Sequence, residues 1–295
     1  MFTGSCVALV TPFKNGRVDG KTMRELVEFQ IENGTSAIVP CGSTGESATL
    51  THAEHHRVVE MVVKTARGRI PIIAGTGSNS TAETISLTRH AKQAGADAAL
   101  IIIPYYNRPT QDGIAEHFYQ VAKTVPIPII VYNIPSRTGT NLLPSTLARI
   151  AARSRNIVGI KESSGDLEQI SEIARAFTGK KFSVFCGDDS LTPPVLSIGG
   201  KGVISVLANI APRDVQDLCT SVMQGDPDRA QALHLKMSPL VKALFIETNP
   251  GPIKTAMAYL GMCSAEMRLP LFHMRAENKA KLIRAIKAYG LKRPA

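Results

Sequence analysis

Residues 156–165, NIVGIKESSG, contain a short apolar strand that ends in a single lysine and leads into a polar turn. An amphipathic helical segment, 166–177, follows. A lysine at a strand end keeps its apolar stem inside the fold while its amine lies at the mouth of a pocket. Because a low dielectric disfavours the ammonium form, the Lys161 amine can become a nucleophile that attacks a ketone and forms a Schiff base. Taken alone, this signal is weak, since most lysines in such positions are solvated.

The same alternation of strand and helix occurs eight times along the chain. Apolar runs rich in Val and Ile, typical of parallel strands covered on both faces, occupy 6–10, 37–40, 70–74, 98–103, 127–132, 157–160, 182–186 and 202–206. Amphipathic segments follow at 20–33, 51–66, 80–94, 111–124, 144–152, 166–177, 189–198 and 212–224. Several open with residues suited to helix starts: Thr51 with Glu54, Asp166 and Asp189. Eight βα units in about 225 residues predict an α/β fold, a (β/α)8 TIM barrel.

Two further features complete the predicted architecture. A doubly wound sheet is the alternative, but it would need a glycine-rich dinucleotide turn, and Gly75-Thr76-Gly77 lacks the third glycine of that turn. Beyond residue 225 the strand pattern stops, and helical segments follow at 226–246, 250–260 and 274–289. We therefore predict a catalytic barrel over 1–225 and a C-terminal three-helix appendage over 226–295.

Composition argues against several classes of protein. With 44% hydrophobic and 20% charged residues, the chain has globular composition, and no run of about 18 apolar residues predicts a membrane span. Residues 1–12 lack the features of a signal peptide, and the five cysteines show no metal spacing, so we expect a cytoplasmic protein with reduced thiols. The net charge of +10 is spread along the chain and is densest at 279–293. No nucleic-acid motif accompanies it.

Polar side chains follow several predicted strands, where a barrel places its catalytic groups. The second strand ends in Gly42-Ser43-Thr44-Gly45-Glu46, whose backbone amides and hydroxyls can contact a carboxylate. Later strands end in Tyr105 and Tyr106, in Tyr132 with Arg137, in Lys161, and in Gly187 with Asp188 and Asp189. Groups of this kind on one rim suit carbonyl condensation. The amine can act as the nucleophile, a phenol can transfer protons, and the guanidinium can bind a carboxylate.

These segments resemble the dihydrodipicolinate synthase family, which belongs to the pyruvate-dependent class I aldolase superfamily together with N-acetylneuraminate lyase. The resemblance runs from residues 2–12 through the strand ends to 249–254 and 268–270, so it covers nearly the whole chain. Segment 132–139, YNIPSRTG, is its most specific part, because Arg137 resembles the family residue that binds the carboxylate of aspartate semialdehyde.

The resemblance implies a reaction and its substrates. Pyruvate would condense with L-aspartate 4-semialdehyde to 4-hydroxy-tetrahydrodipicolinate, the first committed step of lysine (diaminopimelate) biosynthesis. Lys161 would form an imine with pyruvate, and Thr44 would hold the pyruvate carboxylate. Gly187 and the carbonyl of Ile204 would line the pyruvate pocket.

A proton relay is implied in the same way. Tyr132 would transfer protons, and Ser43 would link it to Tyr106, which in the family crosses from a neighbouring subunit. The family usually has threonine where this chain has Ser43, so the hydroxyl is kept while its rotamer is less restricted. The expected assembly is a homotetramer built as a dimer of dimers. No metal and no organic cofactor is expected, because the imine on Lys161 serves as the electron sink.

A second polar set is not used by this catalytic argument. His52 and His55 are three residues apart on a predicted helix and share a face. A carboxylate, an amide and an aromatic ring suit a zwitterion with a cationic tail, although periodicity alone fits a solvated helix face. The resemblance implies a site for L-lysine as a feedback inhibitor, formed by Ser47, Ala48, His52, His55, Asn79, Glu83 and Tyr105.

Two other functions remain open from the sequence. The first is a related pyruvate-dependent aldolase or dehydratase acting on a sugar acid, against which Arg137 argues, because such an enzyme would not need a cation there. The second is a non-catalytic small-molecule sensor on the same barrel. The complete set of Lys161, Tyr132 and Tyr106 argues against the sensor.

Overall fold

Eight parallel strands form the centre of the molecule, as the sequence predicts. The computed structural model describes residues 2–292, so Met1 and residues 293–295, with Arg293 of the predicted basic cluster, lie outside the described residues. The strands are β1 (Gly4–Ala8), β2 (Ala37–Val39), β3 (Ile73–Gly75), β4 (Ala98–Ile102), β5 (Ile129–Asn133), β6 (Ile157–Glu162), β7 (Ser183–Cys186) and β8 (Gly202–Ser205). The observed bounds differ from the predicted ones by up to three residues at an end, because apolar runs continue into the flanking turns.

The strands close into a barrel. Their order is β2-β1-β8-β7-β6-β5-β4-β3, and β2 meets β3 through a parallel bridge between Ile38 and Ile72. The amide of Gly75 also donates to the carbonyl of Pro40 at 2.9 Å. This arrangement confirms the predicted TIM barrel and rules out the doubly wound sheet, which would leave two open edges.

Helices cover the outside of the barrel. They are α1 (Gly20–Glu32), α2 (His52–Ala66), α3 (Thr81–Ala94), α4 (Gln111–Thr124), α5 (Pro135–Thr138), α6 (Pro144–Arg153), α7 (Leu167–Ala176), α8 (Thr192–Ser197) and α9 (Pro212–Gln224). Thr51 and Glu54 form the predicted capping box, and Asp166 caps α7. A short 3-10 helix begins at Asp189, as predicted, but the Asp189 carboxylate does not cap it and instead accepts the amides of Val206 and Leu207 after β8.

Three more helices follow the barrel, as predicted: α10 (Pro227–Leu244), α11 (Gly251–Tyr259) and α12 (Ala276–Tyr289). The division of the chain at residue 225 stays a prediction. The first seven residues of α11 are buried, and Lys254 of this helix, together with Asn249 just before it, contacts the loop that follows β2. A short hairpin, Phe13–Lys14 with Arg17–Val18, was not predicted, since two-residue strands are too short to show an alternating pattern.

Apolar side chains pack in two layers. The inner layer fills the barrel and includes Ile130, Tyr132, Phe185 and Ile204, while the outer layer lies between strands and helices. Successive side chains of a strand point to opposite faces, so Ile130 and Tyr132 of β5 both point inward. Lys161 is paired with Tyr132 across β5 and β6, which places the predicted nucleophile on the inner face of the barrel.

Candidate active site

Lys161 lies on β6 at the carboxyl end of the barrel. Its side chain is buried, with 6% of the residue exposed, and Nζ lies 4.4 Å from the centre of the Tyr132 ring. On its other side, Lys161 pairs in register with Phe185 of β7. Lys161 is therefore flanked on the two neighbouring strands by aromatic residues, and its amine contacts the ring of Tyr132.

The next residue, Glu162, points away from the cavity and fixes the strand end. Its carboxylate accepts hydrogen bonds from Asn133 Nδ2 at 3.0 and 3.1 Å, from the amide of Ser164 at 2.8 Å and from Gln169 Nε2 at 3.2 Å. Burial raises the pKa of Glu162, and these donors oppose that shift. Because the donors come from β5, the following turn and α7, they hold the end of β6 rigid.

One cavity brings together most of the predicted catalytic and substrate-binding residues. Its walls include Ser43, Thr44, Tyr132, Arg137, Lys161, Gly187 and Ile204. The cavity opens into a wider vestibule of about 290 Å³, to which Ser43, Tyr132 and Arg137 also contribute. Tyr106 is not part of this group, because 89% of it is exposed and its backbone has a φ of +70°. Within one chain, the structure therefore does not join Tyr106 to Ser43 and Tyr132.

The loop after β2 is held by a residue that the site prediction missed. Asn249 donates from Nδ2 to the Thr44 hydroxyl at 2.9 Å, and it lines both the cavity and the vestibule. Its Oδ1 is buried without a hydrogen-bond partner among the residues that the structure describes. In the sequence, Asn249 appeared only as part of a segment that resembles the family, with no chemistry attached to it.

A buried ion pair supports the same loop. Lys254 Nζ donates to Glu46 Oε1 at 2.6 Å, and neither side chain is exposed. Burial lowers the pKa of Lys254, whereas Glu46 favours its charged form. The other Glu46 oxygen accepts the amide of Arg268 at 3.0 Å, and Arg268 in turn lowers the pKa of Glu54 to about 2. No local sequence signal could reveal this pair, because 208 positions separate its members.

Arg137 lies in the short helix α5, directly after β5. Its Nη2 donates to the carbonyl of Asn249 at 2.9 Å. The side chain lies on the exposed side of the cavity mouth and lines both the cavity and the vestibule. A guanidinium in this position can meet a carboxylate that enters from the vestibule.

A second cavity, of about 110 Å³, contains six of the seven residues predicted for L-lysine. They are Ser47, Ala48, His52, His55, Glu83 and Tyr105. The seventh, Asn79, does not line this cavity, and its carbonyl accepts a hydrogen bond from Asn107 at 2.9 Å. Ser47, Ala48 and Tyr105 also line the vestibule, so the two cavities share a wall.

Charge in the second cavity is concentrated on Glu83. Its carboxylate is 2.6 Å from His52 Nε2 and accepts the Ser78 hydroxyl, and these hydrogen bonds lower the pKa of Glu83. His55 Nε2 lies 2.8 Å from the carbonyl of Gly75, and burial lowers the pKa of His55. The cavity therefore combines an anion with a neutral histidine.

Metal-binding side chains do not cluster in the part of the chain that the structure describes. Among residues 2–292 there is no group of three or more His, Cys, Asp or Glu side chains that could hold an ion. The expectation that the enzyme needs no metal or organic cofactor stays a prediction. In the same residues, no helix is both long and apolar enough to cross a membrane.

A lysine enclosed with a tyrosine at the carboxyl end of a (β/α)8 barrel defines the class of protein: an enzyme of the class I aldolase type. A family model for the dihydrodipicolinate synthetase family matches residues 1–289. Two relatives named 4-hydroxy-tetrahydrodipicolinate synthase, from Syntrophus aciditrophicus and Geotalea uraniireducens, are each 56% identical over 291 residues. These cover 99% of this chain and 99% or 100% of the relative. The chain belongs to the dihydrodipicolinate synthetase family.

Solved structures agree with this assignment. The dihydrodipicolinate synthase of Aquifex aeolicus superposes with a TM-score of 0.98 at 52% identity, covering 100% of both chains. The Acinetobacter baumannii enzyme complexed with pyruvate has a TM-score of 0.96 at 43% identity, covering 99% of this chain and 100% of that one. The Cyanidioschyzon merolae enzyme with lysine bound has a TM-score of 0.95 at 41% identity, covering 98% and 99%.

These comparisons confirm three predictions made from the sequence. The family and the lyase class are confirmed, and so is the activity of a 4-hydroxy-tetrahydrodipicolinate synthase in lysine and diaminopimelate biosynthesis. The sugar-acid enzyme and the non-catalytic sensor are not favoured by any of these relatives.

Proposed function

We propose that this chain condenses pyruvate with L-aspartate 4-semialdehyde on Lys161, in the cytoplasm, to give 4-hydroxy-tetrahydrodipicolinate. The observation that carries the proposal is the buried Lys161 amine beside Tyr132, in a cavity that Thr44 and Arg137 also line. The pyruvate complex of the Acinetobacter baumannii relative supports the choice of the first substrate. Arg137 supports a second substrate that carries a carboxylate.

The covalent steps follow from this arrangement. The Lys161 amine, in its unprotonated form, adds to the ketone carbon of pyruvate, water leaves, and a methyl proton of the imine is exchanged for a proton on the imine nitrogen, which gives an enamine. The enamine carbon then bonds to the aldehyde carbon of the second substrate, whose oxygen takes a proton. In this proposal the Tyr132 phenol moves these protons, and Ser43, which lines the same cavity, supports the relay. Finally, the substrate's own amine displaces Lys161 and closes the ring.

Substrate carboxylates have two separate anchors in this proposal. Thr44 and the backbone of the loop after β2 hold the pyruvate carboxylate, with Asn249 fixing the Thr44 hydroxyl. Arg137 meets the carboxylate of the semialdehyde at the cavity mouth. Gly187 must remain small, because a Cβ at this position would lie 1.7 Å from Ser163 Oγ and 3.0 Å from the carbonyl oxygen of Glu162.

Regulation and assembly form a second part of the proposal. The cavity around Glu83 suits L-lysine, whose ammonium groups would pair with the carboxylate, and the lysine-bound Cyanidioschyzon merolae relative supports this ligand. The exposed Tyr106 supports a shared site in which a neighbouring subunit supplies the tyrosine to Ser43. The assembly that we propose is the homotetramer, a dimer of dimers.

Borohydride reduction in the presence of pyruvate tests the covalent step. The protein should gain the mass of one reduced pyruvate, and peptide mapping should locate that mass on Lys161. Lys161→Ala should lose the adduct, whereas Lys201→Ala, outside the cavity, should keep it. An adduct on a lysine other than Lys161, or none at all, would contradict the proposal.

A further inference from the structure

Two aspartates follow β7, and only one of them is engaged by the protein. Asp189 is buried and accepts hydrogen bonds from the Ser205 hydroxyl and from the amides of Val206 and Leu207. Asp188 is half-buried and lines the cavity that contains Lys161. Within residues 2–292, no donor makes a hydrogen bond to the Asp188 carboxylate. This carboxylate is therefore free to bind a ligand.

The charges of the cavity indicate which ligand group Asp188 would meet. Once Lys161 has formed the imine, Arg137 is the cationic side chain of the cavity, and Asp188 is the one acidic residue among the described residues that line it. The amino-aldehyde substrate carries an α-ammonium group as well as a carboxylate. A cation that leaves water without an anionic partner loses much of its solvation energy, so the ammonium group needs a counter-charge inside the cavity.

We propose that Asp188 binds the α-ammonium group of the amino-aldehyde substrate and takes one proton from it before ring closure. This inference rests on the proposed function, because it assumes a second substrate that bears an amine. It assigns Asp188 a role in catalysis, whereas Asp189 keeps the structural role shown by its hydrogen bonds.

The proton transfer is needed because an ammonium nitrogen has no lone pair. Once Asp188 has accepted a proton, the freed lone pair bonds to the imine carbon on Lys161. Both protons left on the substrate nitrogen pass to Nζ, one before the C–Nζ bond breaks with its electron pair on Nζ and one as it breaks, so that Lys161 leaves as a neutral amine. The substrate nitrogen then forms the ring C=N bond, and Asp188 releases its proton to solvent. No oxidant or reductant takes part.

The electrostatics of the site support this role. Burial raises the pKa of Asp188, and the Lys161 ammonium opposes that shift while Asp189 adds to it. A carboxyl group with a raised pKa is a better proton acceptor from an ammonium group than an ordinary aspartate is. The ion pair with the substrate adds a charge-assisted hydrogen bond in a partly dry cavity.

Two aldehyde substrates, one with an α-ammonium group and one without it, show whether Asp188 acts on that group or on the reaction in general. The test uses L-aspartate 4-semialdehyde and succinate semialdehyde, which has the same carboxylate and aldehyde but no α-ammonium group. Asp188→Asn should lower kcat/KM for the amino-aldehyde by roughly tenfold or more, the loss of one charge-assisted contact. The rate of carbon–carbon bond formation with succinate semialdehyde, measured from the mass of the product, should stay close to that of the parent enzyme.

Controls cover folding, charge and location. Asp188→Glu keeps the carboxylate and should recover most of the lost activity. Asp228→Asn, at an exposed position in the first turn of α10, should behave like the parent enzyme with both aldehydes. Thermal unfolding of each variant shows whether Asp188→Asn remains folded. If Asp188→Asn does not fold, the comparison of the two aldehydes is made with Asp188→Ser, which also removes the charge and should affect the amino-aldehyde alone.

The outcomes are distinct. Unchanged kinetics of Asp188→Asn with the amino-aldehyde, or equal losses with both aldehydes, would overturn the role of Asp188. Borohydride trapping of pyruvate on Lys161 should persist in every variant. Failure of trapping in the parent enzyme would instead overturn the proposed function, so the two proposals fail separately.

Discussion

Lys161 and Tyr132 face each other across β5 and β6, with the lysine nitrogen 4.4 Å from the centre of the tyrosine ring. Both side chains are anchored on strands of one hydrogen-bonded ladder, so their separation does not depend on a mobile loop. Arg137 and Ser43, in contrast, lie in segments that follow strands. Changes at Lys161 or Tyr132 should therefore affect the chemical steps, whereas changes at Arg137 should affect use of the second substrate.

Arg137→Ala should impair the second substrate far more than pyruvate. Losing a charge-assisted contact to a carboxylate costs roughly 1.5–3 kcal/mol, so kcat/KM for L-aspartate 4-semialdehyde should fall about tenfold or more. Pyruvate trapping on Lys161 should persist. Arg149→Ala, which removes an arginine from an exposed ion pair on α6, is the matched control. A loss that falls equally on the two substrates would contradict this assignment of Arg137.

Substitutions of Ser43 test the proton relay. Ser43→Thr keeps the hydroxyl and should leave turnover near that of the parent enzyme. Ser43→Ala removes it and should lower kcat far more than it changes the KM for pyruvate, because a relay acts on proton transfer. Ser171→Ala, in the exposed face of α7, is the control. The relay role would be wrong if Ser43→Thr and Ser43→Ala had the same kcat.

Breaking the pair of Lys254 and Glu46 should destabilise the fold. Removing one partner of a fully buried ion pair leaves the other charge uncompensated and typically costs about 3–5 kcal/mol. We expect losses of this order for Lys254→Met and for Glu46→Gln, measured by denaturant unfolding. The double variant should lose clearly less than the sum of the two single losses. Simple additivity would show that the two side chains contribute independently.

His117 should make stability depend on pH. The residue is 5% exposed, its Nδ1 lies 2.9 Å from the Thr81 hydroxyl, and burial lowers the pKa of His117 from 6.5 to about 4. Above pH 6.5 the histidine is neutral in both states and the depressed pKa has no effect, whereas stability is lost as the pH falls from 6.5 towards 4, because the unfolded histidine binds a proton first. The full loss is about 3 kcal/mol.

His117→Leu isolates this contribution from the titration of carboxylates. Between pH 6.5 and about pH 4, the free energy of unfolding should fall less for this variant than for the parent protein. Equal slopes for the two proteins would mean that His117 does not stay neutral in the folded state.

L-Lysine should inhibit the enzyme through the cavity around Glu83. Hydrogen bonds from Ser78 and His52 lower the pKa of Glu83, so its carboxylate stays charged and can pair with an ammonium group. Glu83→Ala should relieve inhibition while leaving uninhibited turnover unchanged, as measured by lysine titration of the assay. His55→Lys should also relieve inhibition, because a cationic side chain in the cavity would repel the ammonium groups of the ligand. Glu60→Ala, which removes an exposed carboxylate of α2, should leave inhibition intact.

Local patterns in the sequence were sufficient for the eight barrel strands and for the longer helices. The eight strands and the helices around them appear as apolar runs and 3.6-residue periodicity, and both signals depend on neighbours within a few positions. Lys161, Tyr132 and Arg137 could be selected in the same way, since each lies at the end of a predicted strand or in the segment that follows it. The ends of the strands were not predicted to the residue, because an apolar run does not mark where hydrogen bonding to the next strand stops.

Only the tertiary structure decided which distant residues meet. Thr44 and Asn249 are 205 positions apart, and Glu46 and Lys254 are 208 apart, yet these contacts shape the loop that faces Lys161. Asp188 and Asp189 are adjacent in the sequence, but Asp188 lines the cavity, whereas Asp189 accepts hydrogen bonds from the end of β8 and the turn that follows it. The physical reason is that periodicity records burial along one segment. The partner of a buried polar group depends instead on how the barrel closes and where the C-terminal helices pack.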